Sequence, residues 1–416
     1  MSKPKVGILS LGCPRNLVDS EHILGRLKLK GNQVVDINKA DIGIINTCAF
    51  IEDAKSESIE AILDLVQLKK SGKLKKIIVY GCLAERYQEK LRKEFPEVDA
   101  FAGRVDLVEE PARFGLTPAH YAYLKICEGC INNCSFCVIP RIKSTFRSLQ
   151  INSVLKRVGE FNRQGISELN IIGQDITGYG LDLYGKLKLS ELVSKIAGKS
   201  PRIGWLRLLY LYPSRVSDDL LKIIRDEERL CKYIDLPVQH INERVLKSMN
   251  RHTRKKEILT LIDKIRKIIP GVCLRTSIIV GFPSETESEF EELLRFIQDV
   301  KFERLGAFTY SREEDTRAYD FPGQIPKRIK LQRFDSVMVC QQGISREVNQ
   351  KFLGKNLKVL IDEKQNDYYI GRSEFDAPEV DGQVYVKSKK SLKPGDFVDV
   401  KITDTLEYDL AGEVIR

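Results

Sequence analysis

Three cysteines within eight residues, Cys130, Cys134 and Cys137, constrain this chain more than any other feature. They stand in Cys-Ile-Asn-Asn-Cys-Ser-Phe-Cys, just after an apolar run with strand character. Cysteine thiolates are the usual ligands of iron–sulfur clusters, and three on one short loop can wrap one face of a cubane. Three ligands for four irons leave one iron open, and an open coordination position is where a metal site binds and activates a substrate. Structural zinc is the competing reading, but it needs a fourth Cys or a His pair nearby. The four histidines, His22, His120, His240 and His252, are scattered. Cys127 lies close enough to be a fourth ligand, which would close the open iron; it reads instead as a small residue filling space at a strand end.

The chain has ten cysteines in all. The apolar run at 6–11 is too short for a signal segment and has no cleavage site after it. No stretch approaches the ~20 apolar residues of a membrane span. A cytoplasmic setting without a membrane partner is therefore expected, where thiols stay reduced and crowded cysteines mean metal rather than disulfides. Cys231, Cys273 and Cys340 sit in apolar patterns and read as core.

Patterning predicts an α/β multidomain protein. Strand-like runs at 5–12, 33–37, 41–47 and 76–81 alternate with helical runs at 16–30 and 52–70, which argues for a parallel sheet with covered faces. The pattern breaks from 95 to 118, so the reading is a first domain at 1–105 and a linker at 106–118. From 119 to 350 the βα theme recurs six times, with strands expected at 122–126, 168–173, 205–211, 233–238, 273–281 and 304–310. Six units are too few for a closed eight-fold barrel, so a partial (β/α)6 barrel is expected, open for a large substrate. Residues 351–416 hold five short β-like runs broken by Gly, Pro and Asp, the pattern of a small antiparallel β-barrel.

Cys13, Cys48 and Cys82 look unrelated by spacing, yet each follows an expected strand of the first sheet. Ligand sites of open α/β sheets form at the carboxyl ends of strands. A second three-cysteine metal centre and three buried cysteines both fit the periodicity. Gly173, Gln174 and Asp175 end the second barrel strand, where a glycine turn is common for structural reasons alone. Arg207 and Arg275 lie on barrel strands; each can hold a cofactor carboxylate bidentately or form a buried ion pair.

The motif at Cys130, Cys134 and Cys137, with Phe136 before the last cysteine, resembles the radical S-adenosylmethionine superfamily. The order of three-cysteine domain, partial barrel and small C-terminal barrel is similar to the methylthiotransferases of that superfamily, over nearly the whole chain. The resemblance implies an auxiliary cluster at Cys13, Cys48 and Cys82, hence two 4Fe-4S clusters, S-adenosylmethionine as cofactor, and a TRAM-like C-terminal barrel. It also implies cofactor contacts at Phe136, Gly173, Gln174 and Asp175. One branch of the family (MiaB) modifies a base of transfer RNA. Another (RimO) modifies an aspartate of small-subunit ribosomal protein twelve. The stretches 9–21, 46–55, 173–180, 274–283 and 371–382 look like the second. Cys127, Leu149 and Ser284 depart from the usual pattern, at positions where Ser or Ala, Arg, and Gly are common.

For that branch the resemblance implies that one-electron cleavage of S-adenosylmethionine yields a 5′-deoxyadenosyl radical, which takes hydrogen from the aspartate β-carbon. Sulfur from the auxiliary cluster, already methylated, then joins that carbon. An electron donor such as flavodoxin or ferredoxin, a sulfur donor, and the ribosomal protein or the small subunit are the partners this implies. A transfer RNA substrate, or a non-catalytic iron–sulfur protein that binds RNA, are the alternatives. Net charge is +10, with 11 Lys and Arg against 13 Asp and Glu in 351–416. The remaining basic body suits either RNA or a plain solvated surface. The acidic loop with Asp376, Glu379 and Asp381 is expected to dock a basic ribosomal protein, so that D376K with E379K weakens capture but spares cofactor cleavage.

Overall fold

The computed structural model describes residues 3–104, 112–143 and 145–415. Of the linker expected at 106–118, residues 106–111 lie outside the described residues.

The first sheet contains β1 (Lys5–Ser10), β2 (Gln33–Val34), β3 (Ile42–Thr47), β4 (Lys76–Gly81) and β5 (Ala100–Ala102). All neighbours pair in parallel, in the order β2-β1-β3-β4-β5. Helices α1 (Pro14–Leu29), α2 (Glu52–Lys70) and α3 (Cys82–Glu94) make the crossovers. Ile44, Ile45, Ile77 and Val79 are all buried, because a parallel sheet hides both faces and its strands read as continuous apolar runs. β5 falls in the segment read from sequence as patternless, since three residues are too few to show a period.

The second part runs β6 (Tyr121–Lys125), β7 (Cys127–Glu128), α4 (Ile139–Ile142), β8 (Arg147–Ser148), α5 (Ile151–Gln164) and β9 (Glu168–Ile172). It continues with α6 (Leu181–Tyr184), α7 (Leu189–Lys199), β10 (Trp205–Leu208), α8 (Asp218–Asp226), β11 (Tyr233–Asp235) and α9 (Glu243–Ser248). Then come α10 (Lys255–Ile268), β12 (Cys273–Val280), α11 (Glu287–Val300) and β13 (Arg304–Thr309). Two three-stranded parallel sheets, β10-β9-β6 and β11-β12-β13, meet through a Leu206–Leu230 bridge. The result is the expected six-stranded partial barrel. Along β12, Leu274, Ile278 and Val280 pack under the helices, while Arg275, Ser277 and Ile279 alternate onto the half-buried inner face. Phe308, on the edge strand β13, is 47% exposed, so the barrel is open on that side.

Helix α12 (Lys327–Gln350) leads to β14 (Asn356–Gln365), β15 (Tyr368–Ser373), β16 (Val384–Lys387), β17 (Phe397–Thr405) and β18 (Leu410–Val414). They close as β14-β15-β16-β18-β17. The sequence expectation of an antiparallel barrel needs one correction, because β16 and β18 pair in parallel. Directions cannot alternate all the way round a ring of five strands.

A larger correction concerns the acidic loop, which packs against the floor of the partial barrel instead of facing a partner. Asp376 is buried and holds Arg304 at 2.6 and 3.0 Å. Tyr233 Oη donates to Asp381 at 2.6 Å, and Tyr121 Oη donates to Glu379 at 2.9 Å. Arg207 donates to Glu168 at 2.9 Å and to the Glu374 carbonyl at 2.7 Å, fully buried. Arg372 bridges Glu168 and Asp362, and Asp362 also meets His120 at 2.7 Å. With Asp362, Glu374, Asp376, Asp381 and Arg372 committed inward and Glu379 left exposed, the 11 basic and 13 acidic residues of this part fall to 10 and 9. What remains for solvent is slightly basic, so the charge argument for a basic protein partner fails.

The N-terminal domain is tied across the open side. Glu313, just beyond β13, pairs with Arg86 and Lys55, each at 3.1 Å, and Arg86 also donates to the Ala49 and Glu314 carbonyls. Among the described residues, no helix is long and apolar enough to cross a membrane.

Candidate functional site

β1, β3 and β4 are neighbours in the first sheet, and their carboxyl ends deliver Cys13, Cys48 and Cys82 to one edge. Cys13 caps α1, Cys48 directly follows β3, and Cys82 opens α3. Gly12 lets the first two loops close up: with φ +84°, a Cβ there would lie 2.8 Å from the Cys48 Cβ. The three thiols interact. Burial pushes Cys82 up to about 12, and Cys13 and Cys48 add to the rise against Lys143. Burial also raises Cys48. Cys13 is the exception: burial opposes ionisation, but the Arg15 guanidinium and the Asn16 backbone N–H hold its thiol below the ordinary value.

Cys130, Cys134 and Cys137 occupy the loop between β7 and α4. This loop is pinned to the segment after α9: Ser135 N–H donates to the Met249 carbonyl at 2.9 Å and Ser135 Oγ to the Ser248 carbonyl at 2.7 Å. Asn132 donates to Cys130 Sγ from its backbone and side chain, at 3.4 and 3.3 Å, and Arg251 donates to Cys134 Sγ at 3.7 Å. Burial raises the Cys130 thiol to about 11, with Asp175 adding to it, and the Cys137 thiol to about 12, with Cys134 adding to it. Such thiols stay protonated at neutral pH until a metal displaces the proton.

Among the described residues, no three His, Cys, Asp or Glu side chains converge on one point as a single metal ion requires. The charge of Arg15 acts on one thiol of each triad, Cys13 and Cys137. A buried group of Lys125, Lys143, Asp19 and Glu128 lies beside the auxiliary triad at the join of the two domains.

The remaining candidates divide. Asp175 accepts from Asn132 Nδ2 at 2.7 Å and pairs with Arg215, so it orients the residue that touches Cys130. Gln174 donates to Glu128 at 2.6 Å. Gly173 is needed for packing, because a Cβ would lie 2.4 Å from Cys127 Sγ. Cys127 is fully buried, as expected of a space-filling residue. Phe136 packs with Val245, Met249, Phe282 and Tyr310. Arg207 and Arg275 are both ion-paired at the barrel floor, the buried-pair alternative for each, Arg207 with Glu168 at 2.9 Å and Arg275 with Asp235 at 3.1 Å and Asp381 at 3.4 Å. Leu149 is fully buried in the barrel core. Sequence reasoning missed Arg15, Asn132, Arg215, Arg251 and Tyr210. Asn132 alone carried a signal, standing between two of the cysteines.

Residues 5–103 match the model described as Uncharacterized protein family UPF0004, residues 124–297 the Radical SAM superfamily, and residues 353–415 the TRAM domain. A curated relative from Clostridioides difficile (strain 630), named ribosomal protein uS12 methylthiotransferase RimO, is 45% identical over 439 residues, covering 99% of each chain. One of the same name from Caldanaerobacter subterraneus subsp. tengcongensis is 48% identical over 435 residues, covering 98% of this chain and 99% of the relative. Among solved structures, the radical S-adenosylmethionine methyltransferase TsrM from Kitasatospora setae, with cobalamin and a 4Fe-4S cluster bound, aligns with a TM-score of 0.56. It is 12% identical and covers 76% of this chain and 74% of that one, a likeness of fold alone.

Proposed function

Because this chain belongs to the family of ribosomal protein uS12 methylthiotransferases named RimO, we propose that it methylthiolates the β-carbon of an aspartate in uS12. The observation that carries the mechanism is Arg15, which donates to Cys13 of the first domain and to the Gly173 carbonyl of the partial barrel that bears the second cysteine triad. In this reading Cys130, Cys134 and Cys137 hold the cluster that binds S-adenosylmethionine, and Cys13, Cys48 and Cys82 hold the auxiliary cluster. Loaded, these groups supply hydrogen-atom abstraction from an unactivated carbon and the incoming sulfur.

The chain's own residues do the rest. Asn132 and Arg251 donate to thiolates of the first triad, fixing their orientation as outer partners of metal ligands do. The Arg86–Glu313–Lys55 pairing keeps the first domain across the open side of the barrel. The substrate assignment draws on the relatives, not on the charge of the C-terminal barrel. This reading divides the chain at 1–105, 106–118, 119–350 and 351–416, and includes a cytoplasmic setting, a flavodoxin- or ferredoxin-type reductant and a separate sulfur donor.

Anaerobically reconstituted protein is expected to hold about eight irons, and the C130A/C134A/C137A variant about four. Incubation with reductant and S-adenosylmethionine yields 5′-deoxyadenosine. In a deletion strain, mass spectrometry finds uS12 lighter by one methylthio group while transfer RNA is unchanged; loss from transfer RNA instead refutes the assignment.

A further inference from the structure

Arg15 stands two residues after Cys13, and the fold carries its guanidinium to the join of the two domains. Nε donates to Cys13 Sγ at 3.4 Å, and Nη1 donates across the join to the Gly173 carbonyl at 2.9 Å. One flat face lies over the Tyr210 ring, 4.4 Å from its centroid. That ring is a fixed platform. Tyr210 has φ 66°, a region a tyrosine occupies only where its surroundings over-determine it. Its N–H donates to Asp235 Oδ2 at 2.9 Å, and its carbonyl accepts from Ile176 N–H at 3.2 Å.

A guanidinium has five N–H donors, and two of them are used here. Nη2 makes no hydrogen bond among the described residues. Nor does Arg15 form an ion pair among them, for Asp19 and Glu128 are taken by Lys125 and Lys143. The side chain is only half-buried, so its unused fork opens on a space that reaches solvent. A charged donor held at Nε by Cys13 and at Nη1 by the Gly173 carbonyl, with Nη2 unused and no carboxylate partner among the described residues, lies at the join of the two domains. Planar forks of this kind match carboxylates in shape and charge.

We infer that Arg15 binds the side-chain carboxylate of the substrate aspartate and holds the adjacent carbon between the two triads. This rests on the reading that the acceptor is an aspartate of uS12. Asparagine in its place offers a neutral group and turns an N–H toward an N–H at one prong.

The test uses the holoenzyme and fluorescent peptides copying the uS12 loop, with Asp or Asn at the acceptor position, in equilibrium anisotropy titrations. The wild-type protein is expected to prefer Asp by about 10- to 100-fold, the range for a hydrogen bond to a charged group. Arg15→Met, of similar length but neutral, is expected to bring the ratio close to one with iron per chain unchanged. Arg15→Lys restores part of the preference. An R15M protein that keeps the preference, or loses iron from either triad, overturns the inference, the second by making Arg15 a cluster-shaping residue. Wild-type protein that modifies the Asp peptide yet binds both peptides alike overturns the inference alone. Wild-type protein that leaves the peptide untouched and methylthiolates transfer RNA overturns the aspartate reading, and the inference with it.

Discussion

Gly173 has no room for a side chain, and the atom that forbids one is the sulfur of Cys127. Gly173→Ala forces a Cβ to within 2.4 Å of that sulfur and 3.2 Å of Ile176. Overpacking of this kind costs about 1–3 kcal/mol, so the melting temperature is expected to fall. Adding Cys127→Ala to that variant removes the obstructing atom and is expected to recover much of the loss, a coupling read by a double-mutant cycle. Cys127→Ser alone keeps the size of the group and is expected to leave iron content intact. His240 gives a pH-dependent counterpart. Burial holds its pKa down at about 4, and its Nδ1 accepts the Asn242 N–H at 3.0 Å. The unfolded chain takes up a proton near pH 6.5 while the folded one does not, so stability is full above that value and declines as pH falls toward 4. The expected loss is up to about 3 kcal/mol, and His240→Gln should flatten that part of a pH–stability curve.

Among the elements, α11 shows why one departure from the family pattern is tolerable. It opens with a capping box in which Thr286 and Glu289 satisfy each other's backbone N–H groups. Ser284, just upstream, has φ 63°, where glycine is at ease and serine is strained. Its Oγ donates to the Pro322 carbonyl at 3.0 Å in partial compensation. Ser284→Gly is therefore expected to be neutral to stabilising by less than about 1 kcal/mol, and Thr286→Ala to destabilise by about 1 kcal/mol, both by thermal denaturation. The strands of both α/β parts were legible because they are rich in β-branched residues, as in Ile42–Thr47 and Cys273–Val280. β5, the two-residue pair β7–β8 and the parallel closure of β16 on β18 were not, since two or three residues carry no period and pairing partners leave no local trace. At the site, the cysteines announce themselves by type and place, whereas Tyr210 is driven to positive φ by Asp235 and Ile176. No local pattern around Tyr210 encodes that.

For the molecule as a whole, the acidic loop misled because sequence charge does not say which way a side chain faces. Asp376→Lys with Glu379→Lys, expected from sequence to touch only partner capture, instead strikes the join between the two barrels. Asp376→Asn leaves Arg304 buried without its counter-charge, and breaking a buried pair in this way costs about 3–5 kcal/mol. That variant is expected to unfold at lower denaturant concentration and to release a proteolytic fragment near residue 350. Glu313→Gln is a gentler probe of the opposite side, where it weakens the Arg86 and Lys55 contacts. It is expected to speed hydrogen exchange in α3 while leaving the melting of the C-terminal barrel unchanged.

The loop that fills the barrel floor comes late in the chain, and protein synthesis runs from the N-terminus. While the chain is still being made, Arg207, Arg275 and Arg304 can already occupy their strands, but Glu374, Asp376 and Asp381 have not yet emerged. Arg207 and Arg275 already have Glu168 and Asp235, but a nascent chain carries all six candidate cluster cysteines well before it can balance Arg304 at its base. Completion of the polypeptide, rather than arrival of the metal ligands, sets the moment when the barrel can seal. A molecule truncated by premature termination would hold every cysteine of the two triads and still leave Arg304 without its counter-charge at an uncovered floor, a form that chaperones and proteases can tell apart from the finished enzyme.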